Sequence, residues 1–325
     1  MSLIRTAPED VSAPIPGPIP EASARRMRRA EEGQGDRSVL SNLDRRDPVK
    51  RMLITVFITL VVMSLIVVCA GPMLWLFKAA TSTTNETLGD PFSLWPSGLH
   101  LENFVNIWTQ VEFGKYFLNT VWVMLGSLVL GVSVATTGGY WLAVLKPKGS
   151  GFVSALILAT LFIPGVISLV SLYLTVIDLP LLGISLIDTF WAVWLPAAAN
   201  AVNVLIVQRY FASLPGEIFE AARVDGAGPV RVFFSLVLPM SRPILGVVAL
   251  LTLVGAYKEF LWPLLVLPSP DLQPISVVLP RLASTTEFAP FMAALFISSI
   301  VPIAVFLVFQ RQFLQAAGNA GALKG

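Results

Sequence analysis

The chain has 325 residues, of which 55% are hydrophobic and only 13% are charged, whereas soluble domains carry about 25% charged residues. This composition indicates an integral membrane protein, and a net charge of +2 gives no reason to expect nucleic-acid binding. The single cysteine, Cys69, and the single histidine, His100, exclude an internal disulfide, a cysteine metal cluster and a multi-histidine metal site.

Residues 1–51 form a predicted disordered, basic tail. They combine Pro, Ala, Ser, Glu and Arg with almost no aliphatic pattern, and such a composition buries too little apolar surface to order a chain. No apolar core follows an initial basic segment, as it would in a secretory signal peptide. We therefore expect an unstructured N-terminal extension.

Six stretches are apolar enough to cross a membrane, since a transmembrane helix needs about 20 mainly apolar residues. They span residues 52–77, 116–145, 152–177, 189–208, 243–268 and 288–310. Only the fifth stretch is interrupted by charge, at Lys258 and Glu259. We therefore predict an all-α integral membrane fold with six transmembrane helices.

The distribution of Lys and Arg predicts the orientation, because basic residues in short connections favour the cytoplasmic side. With both termini inside, the cytoplasmic segments hold Lys146, Lys148, Arg209, Arg223, Arg231, Arg242, Arg311 and Lys324. The outer segments hold only Lys78, Lys115 and Arg281. We therefore expect a multi-pass protein of the cell membrane with both termini in the cytoplasm and an outer loop at residues 79–113.

Prolines and glycines inside the spans predict bends and close contacts. Kinks are expected at Pro164, Pro196, Pro263 and Pro302, where neighbouring helices can satisfy the backbone groups that proline frees. Close helix packing is expected at Gly126, Gly131, Gly138 and Gly139 in the second span.

Residues 213–239 form a polar interruption between the fourth and fifth spans, on the predicted cytoplasmic side. Ser213 is a candidate N-cap, with Pro215 in the first turn of a short helix. Gly226 is suited to end that helix in the left-handed conformation. A second helix is expected to begin at Pro229 and to end before Pro239, because the residue preceding a proline disfavours helix.

The first of these two helices has distinct faces. Ile218, Phe219 and Ala222 supply an apolar side, while Glu220 and Arg223 lie off it. The small residues Ala221, Ala222, Gly226, Ala227 and Gly228 allow another surface to approach closely. A mere connector is the alternative, although connections between helices need only two to eight residues.

The stretch EAARVDGAG followed by FFSLVLPMSRP resembles the EAA signature of binding-protein-dependent ABC importer permeases. The matching positions here are Glu220, Ala221, Ala222, Asp225, Gly226, Ala227, Phe233, Phe234, Leu238, Pro239 and Pro243. The stretches QRYFASLPGEIFEAARVDGA, YKEFLWPLLVL and FQRQFLQAAGNAGALKG are similar to the carbohydrate branch of that family, and specifically to its six-span, maltose-type second permease subunit. The resemblance runs from about residue 52 to the end of the chain.

The resemblance implies a type I ABC importer transmembrane fold with cytoplasmic coupling helices. Residues 52–114 would be the first helix and outer loop, 115–311 the core, and 312–325 a cytoplasmic tail. It also implies a second permease subunit, two ATPase subunits that bind ATP and Mg, and an extracytoplasmic solute-binding protein. The residues that it assigns to ATPase coupling are Glu220, Ala221, Ala222, Asp225, Gly226, Ala227, Phe233 and Pro239.

The function that the resemblance implies is ATP-driven import of a sugar, either a disaccharide or an oligosaccharide, with a glycerol-phosphate compound as the alternative. The sequence contains no G-x-x-x-x-G-K-[ST] phosphate-binding loop. We therefore expect a transport subunit without an ATPase site of its own and without a cofactor.

The fifth span offers candidates for the substrate path, because a charge at the centre of a transmembrane helix costs about 2.5–3.5 kcal/mol on insertion scales and usually faces a wet cavity. The candidates are Tyr257, Lys258, Glu259 and Trp262, together with Asn200 and Asn203, three residues apart in the fourth span. Structural pairing of the charges and hydrogen-bonded packing of the asparagines are the alternatives.

Two other function classes compete with an importer subunit. An integral membrane enzyme lacks a credible set of catalytic residues in this sequence. An ion-driven secondary carrier could use Lys258 and Glu259, but it would leave the EAA segment (residues 213–239) without a purpose.

Overall fold

Helices make up the regular structure of the computed structural model, which describes residues 48–93 and 95–322 and contains no strand within them. The predicted disordered tail lies outside the described residues, except that residues 48–51 belong to the first helix. In chain order the helices are α1 (Pro48–Ala80), α2 (Thr84–Gly89), α3 (Glu102–Gln110), α4 (Phe113–Tyr140), α5 (Ser150–Thr160), α6 (Gly165–Ile177), α7 (Trp191–Ala198), α8 (Ala201–Ala212), α9 (Gly216–Val224), α10 (Pro229–Val232), α11 (Leu238–Met240), α12 (Arg242–Lys258), α13 (Leu261–Val266), α14 (Ile275–Thr285) and α15 (Phe288–Ala322). π-Helical turns at Trp141–Leu145 and Phe233–Val237 follow α4 and α10.

The first and last helices are longer than the sequence predicts. α1 begins at Pro48, where the missing N–H of proline does no harm because the first helical N–H has no partner in any case. α15 continues to Ala322, through residues 312–322 of the predicted tail, because the Leu, Gln and Ala in that segment favour helix.

The chain divides into two units, residues 1–69 and 70–325. Among the described residues, the first unit is the amino-terminal part of α1, which is apolar on every face, as expected of a helix in lipid. The second unit contains the end of α1 and all the other helices.

Three segments are long and apolar enough to cross a membrane as single helices, namely Met52–Ala80, Phe113–Leu145 and Phe288–Gln312. Three further pairs of helices qualify only as bent pairs: α5 with α6 at 107°, α7 with α8 at 42°, and Pro229–Met240 with α12 at 80°. Counting each bent pair as one span gives up to six spans among the described residues. The kinks expected in spans three and four are therefore present as bends between two helices.

Prolines stand at or near the breaks in spans three and four. Pro164 stands just before α6 with a ψ of 127°, and it disfavours helix at the preceding residue. The predicted kink is therefore a complete break. Pro196 lies inside α7, and the chain leaves the helix three residues later, where the Ala199 N–H still donates to the Pro196 carbonyl at 3.2 Å.

The fifth span is also broken, because α12 ends at Lys258. If the helix continued, the ring of Pro263 would clash with the carbonyl four residues earlier, that of Glu259. Glu259 accordingly has an extended conformation, with a ψ of 122°, and α13 starts at Leu261. Lys258 and Glu259 therefore stand at a helix end and not within a continuous span. In contrast, α15 runs through Pro302 without a break.

The glycines of α4 allow close helix contacts, as predicted. A Cβ atom on Gly126 would lie 2.0 Å from Cε2 of Trp194 in α7. A Cβ atom on Gly139 would lie 2.7 Å from Cγ1 of Val207 in α8. Because real carbon atoms do not approach so closely, only glycine permits this packing of α7 and α8 against α4.

One buried cluster, the Tyr140 cluster, joins the ends of α4 and α8 to the segment 213–239. Its buried members are Ala135, Tyr140, Leu142, Ala143, Val204, Val207, Phe211, Ala222, Val232, Phe233, Val237 and Val248. The EAA segment is therefore attached to the spans through side chains that are shielded from solvent.

Polar contacts hold together the segment that is predicted to be the outer loop. The Asn103 side chain donates to the carbonyl oxygens of Ala80 and Ser82 at 3.0 and 2.9 Å. Oε1 of Glu86 accepts a 2.6 Å hydrogen bond from the Ser97 N–H. This hydrogen bond lowers the pKa of Glu86 below its ordinary value.

Candidate functional site

The first helix of the EAA segment is α9, and it begins differently from the prediction. Pro215 precedes the helix, and no side chain caps it. Ser213 instead donates its hydroxyl to the Tyr210 carbonyl at 2.7 Å, at the end of α8. The prediction that Ser213 is the N-cap of α9 is therefore wrong. α8 extends to Ala212, and Ser213 is the C-cap of α8.

The end of α9 confirms the predicted glycine turn. Gly226 has a φ of +71°, and its N–H donates to the Arg223 carbonyl at 3.0 Å. The Ala227 N–H donates to the Ala222 carbonyl at 2.9 Å. These two bonds form a Schellman motif, in which glycine takes the left-handed position without the steric cost of a Cβ atom.

The faces of α9 also agree with the sequence. Ala222 is 7% exposed and packs into the Tyr140 cluster, and Phe219 packs beside it. Glu220, Ala221 and Asp225 are exposed. The small residues thus have two roles. Ala222 lets α9 approach the spans, while Ala221 leaves the solvent-exposed face of α9 flat.

The second helix, α10, starts at Pro229, as predicted. The Tyr140 hydroxyl donates to the Pro229 carbonyl at 2.9 Å. The rings of Tyr140 and Phe233 lie 5.0 Å apart between centroids, at an interplanar angle of 50°, which is a favourable aromatic geometry. Phe233 is 7% exposed, so it attaches the segment to α4 and is not itself an outer contact surface.

The predicted helix end before Pro239 is wrong. The chain forms a π-helical turn at Phe233–Val237, in which the Leu238 N–H donates to the Phe233 carbonyl five residues earlier. Pro239 then lies inside α11, and the sharp bend comes later, at Ser241. The wider turn provides room for the prolyl ring, which lacks the N–H that an α-helix would use at that position.

A surface pocket of about 440 Å³ lies between α9 and the following helical turns. Its lining residues are Ile218, Ala221, Ala222, Asp225, Ala227, Arg231, Val232, Ser235 and Leu236. Beside it, Val224 and Phe234 are 89% and 63% exposed. This pocket could not be predicted from the sequence, since it depends on how α9 folds back over α10. It offers an apolar cavity with Asp225 and Arg231 among its lining residues.

The asparagines proposed for the substrate path do not share one helix face. Asn200 is exposed and precedes α8, and its side-chain oxygen accepts from the Asn203 N–H at 3.1 Å. Asn203 is buried, and its amide donates to the Thr252 hydroxyl at 3.0 Å. Asn203 therefore joins α8 to α12 by a hydrogen bond, and only Asn200 remains open to a ligand.

The aromatic candidates of the fifth span are also engaged within the protein. The Tyr257 hydroxyl donates to the Ser298 carbonyl at 2.7 Å. Trp262 is 9% exposed, and its indole N–H donates to the Ala192 carbonyl at 2.9 Å. The prediction that the Trp262 ring faces a sugar is therefore wrong, because the ring is packed against α7.

The charged candidates remain exposed at the gap between α12 and α13. Lys258 ends α12, and the Glu259 carboxylate accepts from the Trp262 N–H at 3.2 Å, which caps the start of α13. The Ser276 hydroxyl donates to the Glu259 carbonyl at 2.7 Å. The breaks at residues 161–164, 199–200 and 259–260 all interrupt the regular series of α-helical hydrogen bonds. Within a membrane, such backbone is tolerated only where it is buried in protein or lines a water-filled cavity.

No group of acidic, histidine and cysteine residues that could hold a metal ion occurs in the part of the chain that the structure describes. The features that remain as the candidate site are the EAA segment and the exposed residues at the helix breaks.

Comparison with known proteins places these features in context. A family model described as "Binding-protein-dependent transport system inner membrane component" matches residues 127–317. The diacetylchitobiose uptake system permease protein of Streptomyces coelicolor is 32% identical, over 78% of this chain and 83% of the relative. The arabinooligosaccharides transport system permease protein of Halalkalibacterium halodurans is also 32% identical, over 78% and 91%. The sn-glycerol-3-phosphate transport system permease protein of Escherichia coli is 29% identical, over 82% and 96%.

A solved structure supports the fold. It is the crystal structure of a bacterial ABC transporter involved in the import of the acidic polysaccharide alginate, and a chain in it matches with a TM-score of 0.72. The match covers 84% of this chain and 99% of the other, at 18% identity, so it concerns the fold alone. Together with the family match, it confirms the expected ABC importer permease fold. The chain is an integral membrane protein of the binding-protein-dependent transport system inner membrane component family.

Proposed function

We propose that this chain is the permease subunit of an ATP-driven importer that carries a disaccharide or oligosaccharide, delivered by an extracytoplasmic solute-binding protein. The observation that carries the proposal is the attachment of the EAA segment. The side of the segment that faces the spans is held by Ala222, Phe233 and the Tyr140 hydrogen bond. The opposite side, called the outer side here, leaves Glu220 exposed. A partner that moves the outer side thereby moves the ends of α4 and α8, because packed elements shift as units.

The proposal includes partners and orientation. A second permease subunit completes the pore, and two ATPase subunits bind ATP and Mg and contact the EAA segment from the cytoplasm. Both termini are cytoplasmic. This chain binds no cofactor and hydrolyses no ATP when purified alone. The coupling residues are Glu220, Ala221, Ala222, Asp225, Gly226, Ala227, Phe233 and Pro239. Of these, Ala222 and Phe233 act from the side that faces the spans.

Sugar is favoured over a glycerol-phosphate substrate by charge. The exposed path candidates are Asn200, Lys258 and Glu259, which together carry one positive and one negative charge. A phosphate dianion would be expected to meet several Lys or Arg side chains. The names of the oligosaccharide relatives are consistent with this choice, whereas the glycerol-phosphate relative supports the alternative.

Reconstitution of the complete complex tests the function. We expect uptake of a sugar that requires ATP, the ATPase subunits and the binding protein. A thermal-shift screen of the cognate binding protein against sugars and glycerol phosphates identifies the substrate class. Uptake that persists without ATP and follows an ion gradient would instead establish a secondary carrier.

Substitution of Glu220 by Ala tests the coupling surface. Glu217 supplies a matched control, because it is an exposed Glu in the first turn of the same helix. We expect Glu220→Ala to lower the amount of sugar transported per ATP while the chain still inserts, and Glu217→Ala to leave this ratio unchanged. Equal ratios in the two variants would contradict the proposed role of Glu220.

A further inference from the structure

A second feature, separate from the EAA segment and the helix breaks, is an apolar groove between α4, α12 and α15. The groove has a volume of about 590 Å³, and all its lining side chains are hydrophobic, among them Phe117, Leu128, Leu253, Ala304 and Phe309. These residues belong to spans, so the groove opens at membrane depth. Its chemistry matches a hydrocarbon chain and gives a polar sugar no hydrogen bond.

The groove continues into a second cavity that is not purely apolar. This cavity, of about 750 Å³, shares Leu128 and Phe309 with the groove and adds Ser133, Arg242 and Gln312. Along α4, the distance from Phe117 to Ser133 is about 24 Å, at 1.5 Å per residue. One leaflet of the hydrocarbon core is about 15 Å thick. The combined groove is thus long enough to hold an acyl chain of one leaflet below a headgroup at its polar end.

The polar end has unsatisfied groups. Arg242 is exposed, and no described residue forms an ion pair or a hydrogen bond with its guanidinium group. The side-chain oxygen of Gln312 is shielded from solvent and has no hydrogen-bond partner among the described residues. The stem of Gln312 lies against Gly246, where a Cβ atom would come within 2.4 Å of it. A buried acceptor without a partner destabilises the protein, so a ligand that brings a hydroxyl group is favoured there.

The geometry points to a binding site for an anionic phospholipid with a hydroxylated headgroup, of the phosphatidylglycerol type. The guanidinium group of Arg242 pairs with the phosphate, because Arg presents several donors to phosphate oxygens. The Gln312 side chain accepts a hydrogen bond from a headgroup hydroxyl, and one acyl chain fills the groove of α4, α12 and α15. In the proposed orientation this headgroup belongs to the cytoplasmic leaflet, in which anionic lipids attract basic residues. The inference holds whichever solute the importer carries.

Lipid binding is measured on the assembled importer in nanodiscs that contain equal amounts of phosphatidylglycerol and phosphatidylcholine. After extraction, the lipids retained by the complex are counted by native mass spectrometry. We expect the wild-type complex to retain phosphatidylglycerol preferentially, and Arg242→Gln to lower this preference roughly fivefold, as about 1 kcal/mol per basic residue implies. Arg209→Gln is the matched control, since it removes one exposed positive charge of the same proposed face outside the groove, and it is expected to retain the preference.

A second variant tests the apolar part independently of charge. Ala304→Trp places a large side chain on the exposed wall of the groove, and it is expected to reduce the retained lipid while the complex still assembles. A photo-activated cross-linker at Val305 then reports the occupant. Capture of phospholipid supports the inference. It is overturned if the cross-linker captures a helix of the partner permease, or if Arg242→Gln and Ala304→Trp both retain lipid as the wild type does.

Discussion

Replacement of Tyr140 tests how firmly the EAA segment is attached to the spans. Tyr140→Phe removes only the hydroxyl that donates to the Pro229 carbonyl at 2.9 Å. That carbonyl keeps a second hydrogen bond from the Phe233 N–H, so the loss is expected to be near 0.5–1 kcal/mol. Tyr140→Ala also removes the ring that packs on Phe233, and truncation of a buried aromatic side chain costs about 3–5 kcal/mol.

The two variants are therefore expected to separate by about 3 kcal/mol, of which the aromatic pair itself contributes about 0.5–1.5 kcal/mol. The assay measures thermal unfolding of the complex and the sugar transported per ATP hydrolysed in proteoliposomes. We expect Tyr140→Phe to remain coupled and Tyr140→Ala to hydrolyse ATP with little transport. Tyr210→Phe is the control, since its hydroxyl reaches the Met240 carbonyl only at 3.3 Å. Full coupling and wild-type stability in Tyr140→Ala would refute this reasoning.

Three further predictions follow from single contacts. Gly226→Ala places a Cβ atom at a φ of +71° and is expected to cost about 1–2 kcal/mol, measured as a lower unfolding temperature than that of a Gly216→Ala control. Gly126→Ala is expected to prevent assembly, because its Cβ atom would lie 2.0 Å from Trp194. Trp194→Ala in the same chain should restore assembly, and failure to do so would contradict the packing argument. The pKa of Glu86 is lowered by its bond from the Ser97 N–H, so the stability that this bond contributes is present above pH 4.5 and is lost as the pH falls through the folded pKa. The protection factor of the Ser97 amide, which is its exchange rate relative to the intrinsic rate at the same pH, should therefore fall in acid, and in Glu86→Gln it should not depend on carboxylate titration.

Features that depend on neighbouring residues in the sequence were predictable. The turn at Gly226 follows from the Asp-Gly pair after a short amphipathic helix, and it requires no knowledge of the rest of the fold. The start of α10 at Pro229 is local in the same way. The close contacts at Gly126 were predictable in kind, because small residues in a span indicate a neighbouring helix, but the identity of Trp194 as that neighbour was not.

Features that depend on distant packing could not be derived in the same way. The burial of Trp262 results from its contact with Ala192, 70 residues away. Asn203 in α8 forms its hydrogen bond with Thr252 in α12, 49 residues away. The break at Glu259 did have a signal in the sequence, since Pro263 stands four residues later and removes the α-helical geometry at that carbonyl. The kink predicted at Pro263 rests on that residue, although the observed break lies four residues earlier.

The π-helical turn at Phe233–Val237 makes the EAA segment sensitive to chain length and not only to side-chain identity. A π turn contains one residue more than the corresponding α-helical turn, so it absorbs one extra residue without rotating the helices on either side. Deletion of one residue there, for example Ser235, would return the turn to α-helical geometry. The ring of Pro239 would then meet the carbonyl four residues earlier, and the helix would bend before α12. Single-residue deletions between Pro229 and Ser241 should accordingly abolish transport, which a deletion scan with the transport assay would reveal.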